Sequence, residues 1–239
     1  MAKLVWDQMG QRLYETGTDH GVVYPNLLEN NRGYGGGVAW NGLTAVTESP
    51  SGADPTDIWA DNIKYLTIRA AEEFGGTIEA YTYPDEFAVL DGSVQPIAGV
   101  TLGQQSRRAF GFSFRSIVGN DVSMNDYGYK LHCLYSMSVS PSEKGYQTVN
   151  DSPEAINFSW EFTTTPVAVS KLDQNGKAIK ATAQLIIDST KVDPAKLAAL
   201  EEILYGSDTE EPRLPLPDEI ITLLDPGTTP GGGGTGGNG

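Results

Sequence analysis

The sequence predicts a mainly β fold: a β-sandwich or barrel core with one flanking α-helix, an extended loop and a C-terminal arm. Three observations carry this. Period-two alternation of apolar and polar residues recurs through roughly the first 190 positions, broken by turn signals. Asn175-Gly176, inside Lys171–Lys177, is the strongest short hairpin signal in the chain. The sharpest helical signals, by contrast, sit near the C-terminus. Many short strands with non-local pairing favour an architecture whose closure protects its edges.

Taken in order, the weaker strand expectations are Lys3–Trp6, Arg12–Tyr14, Gly37–Asn41, Ile63–Ile68 and Thr77–Tyr83. The glycine cluster Gly33–Gly37 in NRGYGGGVAW lacks the Lys-Ser/Thr that completes a phosphate cradle and leads into a strand, so it reads as a hairpin loop. Pro84 followed by Asp85 and Glu86 marks the first turn of a short helix, where the dipole favours negative charge. Three core strands follow. Phe110, Phe112 and Phe114 alternate with Gly111, Ser113 and Arg115; Leu131, Cys133, Tyr135, Met137 and Val139 share one face; Ile156, Phe158, Trp160 and Phe162 share another. Thr165–Val169 and Thr182–Asp188 flank the Asn-Gly hairpin.

Asp193 is a natural N-cap and Pro194 suits the first helical position. Leu197, Leu200 and Leu204 form a stripe that ends at Gly206, which predicts a helix over 194–205. Asp218–Leu224 is a second, shorter candidate that needs a surface to dock on. The organisation expected is a β core with its helix over 1–206, a C-terminal arm over 207–226 and a Gly-rich tail over 227–239, which has no side chains for a core.

Composition removes several function classes. Against 31 Asp and Glu stand 16 Lys and Arg, a formal charge of −15, so gripping nucleic acid by neutralising phosphates is not expected. No apolar run reaches the length of a membrane helix and no signal layout opens the chain, which points to synthesis in a cytoplasm. The single cysteine, Cys133, excludes an internal disulfide and a Cys-based zinc site, and reads as a small buried hydrophobe. Two imidazoles, His20 in the turn-like GTDHG and His132 alternating out of a strand, have no nucleophile and orienting partner nearby in sequence. Asp173–Gly176 is too short for a calcium loop. No catalytic residue, cofactor or metal is therefore expected. Trp160 and Phe158 read as core, whereas Trp59, in the acidic stretch ADPTDIWADN, suits a protein interface.

Several stretches resemble one family. YETGTDHGVVYP (Tyr14–Pro25), GVAWNGLTAVTESPSGADPTDIWADNIKYLTI (Gly37–Ile68), EFGGTIEAYTYPDEFAVLDG (Glu73–Gly92), TVNDSPEAINFSWEFTTTPV (Thr148–Val167) and IDSTKVDPAKLAALEEILYG (Ile187–Gly206), followed by LPLPDEI (Leu214–Ile220), are similar to the major tail protein of long-tailed, non-contractile bacteriophages. The resemblance runs in order along most of the chain; the Gly-rich ending departs from it.

The resemblance implies a virion tail tube subunit: six copies closing a ring, rings stacking into a hollow tube, and a long loop and terminal arms reaching the neighbouring ring. Implied partners are further copies of itself, a tape-measure protein and tail terminator proteins, with DNA passing through without specific binding and no membrane involved. Carried onto this sequence, the loop is roughly 47–62 and the arm roughly 207–224, both expected to be under-ordered until rings stack. Asp54, Asp57, Trp59, Ile220, Ile221 and Leu224 are the assembly candidates. A ring of six would carry about −90 formal charges, and a bore of that sign would repel rather than capture DNA. Two other readings are a carbohydrate-binding β-sandwich and a hydrolase using Asp85 and Glu86.

Overall fold

A computed structural model of the chain describes residues 3–225 except 53, 150, 152 and 153. The expected Gly-rich tail lies outside the described residues. Strand accounts for 46% of the described residues and helix for 13%, which makes the fold mainly β.

The first half contains β1 (Leu13–Tyr24), the short β2 (Asn26–Leu27) and β3 (Tyr34–Gly35), then β4 (Val38–Trp40) and β5 (Leu43–Glu48). Next come β6 (Ser51–Gly52), β7 (Pro55–Ala60), β8 (Ile63–Arg69), β9 (Glu72–Glu73) and β10 (Gly75–Ala80). After α1 (Asp85–Leu90) follow β11 (Val94–Ile97), β12 (Val100–Leu102), β13 (Phe110–Asn120), β14 (Met124–Val139) and β15 (Phe158–Thr164). The chain closes with β16 (Gln184–Asp188), α2 (Pro194–Tyr205), β17 (Arg213–Leu214) and α3 (Pro217–Leu224).

The main sheet is antiparallel, in the order β4-β1-β13-β14-β15-β10-β5, with β16 also paired to β14. Its two end strands, β4 and β5, are joined by the two-residue turn Asn41-Gly42, with Gly42 at φ +77°. The sheet must therefore curl until its ends meet, and the inward face becomes a core. Phe110, Phe112 and Phe114 point in, with Trp40, Ile78, Phe87, Trp160 and Phe162. Trp160 is fully buried, edge-on to Phe87 at 5.2 Å and to Trp40 at 5.5 Å between ring centres. Such edge-to-face pairs add to the large area that aromatic rings bury.

A second layer covers the outer face of β1, β13 and β14. Here α2 lays Leu197, Leu200 and Leu204 on Val22, Tyr24, Leu131, Cys133 and Tyr135. Asp193 caps the helix by accepting from the Ala195 and Lys196 amides, as the sequence predicted. The Tyr24 hydroxyl donates to the Leu204 carbonyl at 2.9 Å and so pins the helix C-terminus to the sheet.

Three expectations are corrected. The face shared by Leu131, Cys133, Tyr135, Met137 and Val139 is split, because Ser136 sits at φ +47° where the register slips between Phe112↔Leu134 and Phe110↔Met137. This bulge flips parity, sending Met137 and Val139 into the barrel and leaving Tyr135 under α2. GTDHG is no turn either: β1 runs straight through it, absorbing Gly17 and His20 at positive φ as irregularities against β13. Lys3–Trp6 and Thr165–Val169 form no strand, the latter contributing only an isolated bridge at Val167.

The C-terminal segment is corrected as well. Instead of extending as an arm, β17 pairs with β3, Leu214 is fully buried, and Ile220 of α3 is 1% exposed in the outer layer. Tyr135 donates its hydroxyl proton to the Pro215 carbonyl, and Arg213 makes a bidentate ion pair with Glu219. The glycine cluster makes room for this: a Cβ on Gly33, at φ +93°, would lie 2.0 Å from the Leu214 carbonyl oxygen.

Candidate assembly interface

The segment expected to be a loop over 47–62 is one half of a long hairpin. Pairing of β5 with β10 continues through β6 with β9 and ends in β7 with β8, so one ladder runs from the barrel to the tip at Asp61-Asn62. Asp61 lies 13 positions after Glu48, which at strand rise sets an upper limit of about 40 Å on the reach of the hairpin. Beyond the barrel nothing pairs with either edge of β7–β8 among the described residues.

Register assigns the two faces of this arm. Directly opposite residues share a face. One face therefore carries Thr56↔Ile68, Ile58↔Leu66 and Ala60↔Ile63; the other carries Pro55↔Arg69, Asp57↔Thr67 and Trp59↔Lys64. Side-chain contacts agree: Asp57 takes a hydrogen bond from Thr67 and an ion pair from Lys64, both at 2.7 Å. These partners hold the Asp57 carboxyl below its ordinary value. The first face is apolar and uncovered, with Ile58, Ile63, Leu66 and Ile68 between 39% and 60% exposed. A free two-stranded ribbon is marginal in water, and a contiguous exposed apolar face is a candidate contact surface.

The six assembly candidates fall on two separate surfaces. Asp54, Asp57 and Trp59 belong to the arm, where Trp59 is 66% exposed but on the polar face. Ile220, Ile221 and Leu224 belong to α3 on the body; Ile220 is packed inward, while Ile221 and Leu224 line a groove beside β16. Sequence reasoning missed Ile58, Leu66 and Ile68 as the apolar face. Their signal was present as alternation on either side of Asp61-Asn62, but Pro55 and three aspartates gave the first strand the look of a loop. A second exposed apolar stretch, Leu4, Val5 and Trp6, precedes Gly10, whose amide donates to Asp121 and whose carbonyl accepts from Asn120.

His132 is buried and hydrogen-bonded. Its ring stacks on Phe114 at 4.4 Å, Nε2 lies 2.9 Å from Ser116 Oγ, and Nδ1 lies 3.5 Å from Glu48 Oε1. The order Ser-His-Glu resembles a nucleophile array, but acyl transfer also needs converging N–H donors for an oxyanion. Ser116 sits in mid-strand, opposite Thr18 of β1 on one side and Lys130 of β14 on the other. Burial lowers the His132 pKa, and Lys130 works in the same direction, against the opposing pull of Glu48 and Glu15. A lowered imidazole means that the unfolded chain binds the proton more readily, so stability is lost as pH falls through about 6.5. The melting temperature is expected to drop between about pH 7.5 and 5.5 in the native protein, and His132→Phe to flatten that slope. An identical slope in the variant would contradict this origin.

Cys133 is fully buried, and burial raises its thiol to about 12. Among the described residues no cluster of His, Cys, Asp and Glu could hold a metal ion, and no helix is long and apolar enough to cross a membrane. Asp85 and Glu86 occupy the first turn of α1, as their spacing predicted. No family model matches the chain, and no curated protein matches it.

Proposed function

We propose that this chain is a self-assembling structural subunit, the repeating unit of a phage-type tail tube, in which copies close into rings and rings stack through the arm. The observation that carries the reading is the arm itself. A ribbon whose one face is apolar and exposed is costly in an isolated monomer and useful in a polymer. The resemblance of six ordered stretches to major tail proteins supports the same reading, as does the charge of −15, which suits a wall past which DNA slides. Head-to-tail contacts that close by rotation would also cover free strand edges.

A sugar-binding platform finds less support, since Trp40 and Trp160 are buried in the barrel and Trp6 and Trp59 lie on different segments. Electron microscopy of the purified protein in negative stain tests the proposal. Rings or tubes are expected; dispersed single particles at high concentration would contradict it.

A further inference from the structure

We propose that the arm of one copy seats its apolar face in the groove between α2 and α3 of another, where a basic turn faces its acidic strand. This rests on the self-assembly reading above and names the surface that receives the arm.

The groove has a volume of about 600 Å³ and an apolar floor of Ile203, Pro215, Ile220 and Leu223. Its size is in the range that seats a cluster of apolar side chains. One wall is the base of the turn 170–180, held in place by Asp218, whose carboxylate accepts from the Ser170 and Lys171 amides. That turn is cationic in an acidic protein. It carries Lys171, Lys177 and Lys180 against a single acid, Asp173, whose Oδ1 is occupied by the Asn175 and Lys177 amides. Neither Lys177 nor Lys180 is in an ion pair among the described residues.

The arm offers the complement. Its outgoing strand and flanks hold Asp54, Asp57 and Asp61 with no cation before Lys64, and among the described residues only Asp57 has an ion-pair partner in the ribbon. Asp54 and Asp61 therefore bracket the apolar face with two uncompensated charges. Opposite potentials of this kind fix register and suppress wrong pairings.

Charge reversal and charge exchange test the contact. In the full chain, K177E/K180E alters only exposed turn positions, so its melting temperature should match the native protein. Rings are expected to persist, with the critical concentration for stacked tubes raised about tenfold or more. Adding D54K/D61K should restore stacking. Tubes at the native concentration in K177E/K180E would overturn the docking while leaving the tube reading intact. A quadruple variant no better than the reversal would overturn it too. A native chain that forms neither rings nor tubes would overturn both.

Discussion

Replacing Ile58 and Leu66 together by Asp is expected to abolish tube formation while leaving a folded monomer. These two side chains face each other across β7–β8 on the uncovered apolar face. If assembly buries them, each is worth about 1.5–3 kcal/mol of transfer free energy, so losing both raises the critical concentration about 10²- to 10⁴-fold. The arm makes no contribution to the barrel core, and far-UV circular dichroism and thermal unfolding of the monomer should be unchanged. Sedimentation at graded concentrations reads the effect. Tubes forming at the native concentration in the double variant would show that this face is not a contact. Trp59→Ala, on the polar face, should have a smaller effect than either apolar substitution.

Trp160→Ala is expected to cause the largest loss of stability of any single truncation in the chain, about 3–5 kcal/mol. The ring is fully buried and packs on Trp40, Tyr83 and Phe87, and its Nε1–H donates to Asp91 at 3.3 Å. Removing it opens a cavity among side chains on several strands and α1, none of which can collapse into the space without disturbing the others. Such a loss is a large share of the 5–15 kcal/mol that a domain typically has. Trp160→Phe keeps most of the ring and should cost less. Urea unfolding measures both; a loss under about 1 kcal/mol for the alanine variant would contradict the central place given to this residue.

The local elements were largely readable, because their causes are local. Asp193, Pro194 and Gly206 delimit α2 through backbone capping and φ preference, and the structure places the helix at Pro194–Tyr205. Pro84, Asp85 and Glu86 likewise opened α1 where expected. In β15, Trp160 and Phe162 both turn into the barrel, as the alternation predicted.

What escaped the reading depends on partners distant in sequence. No neighbour of Ser136 announces a bulge; the slip arises from fitting β14 against β13 on one side and two successive strands on the other. The docking of Leu214 needs the glycines at 33 and 111, about 100 to 180 residues away, to leave room. The arm was missed for a different reason. Asp61-Asn62 turns the chain with both residues at positive φ but without the glycine that usually marks a tight hairpin, and the polar face of β7 masks the period of its apolar one.

Hydrogen exchange of the 55–69 amides, compared in monomer and in assembled protein, tests the central claim most directly. In the monomer the ribbon is two strands with both edges in water, so its amides should exchange quickly despite their ladder bonds. Once copies stack, protection of these amides is expected to rise by orders of magnitude, while the barrel strands Phe110–Asn120 change little. Equal exchange of the arm in both states would contradict the account.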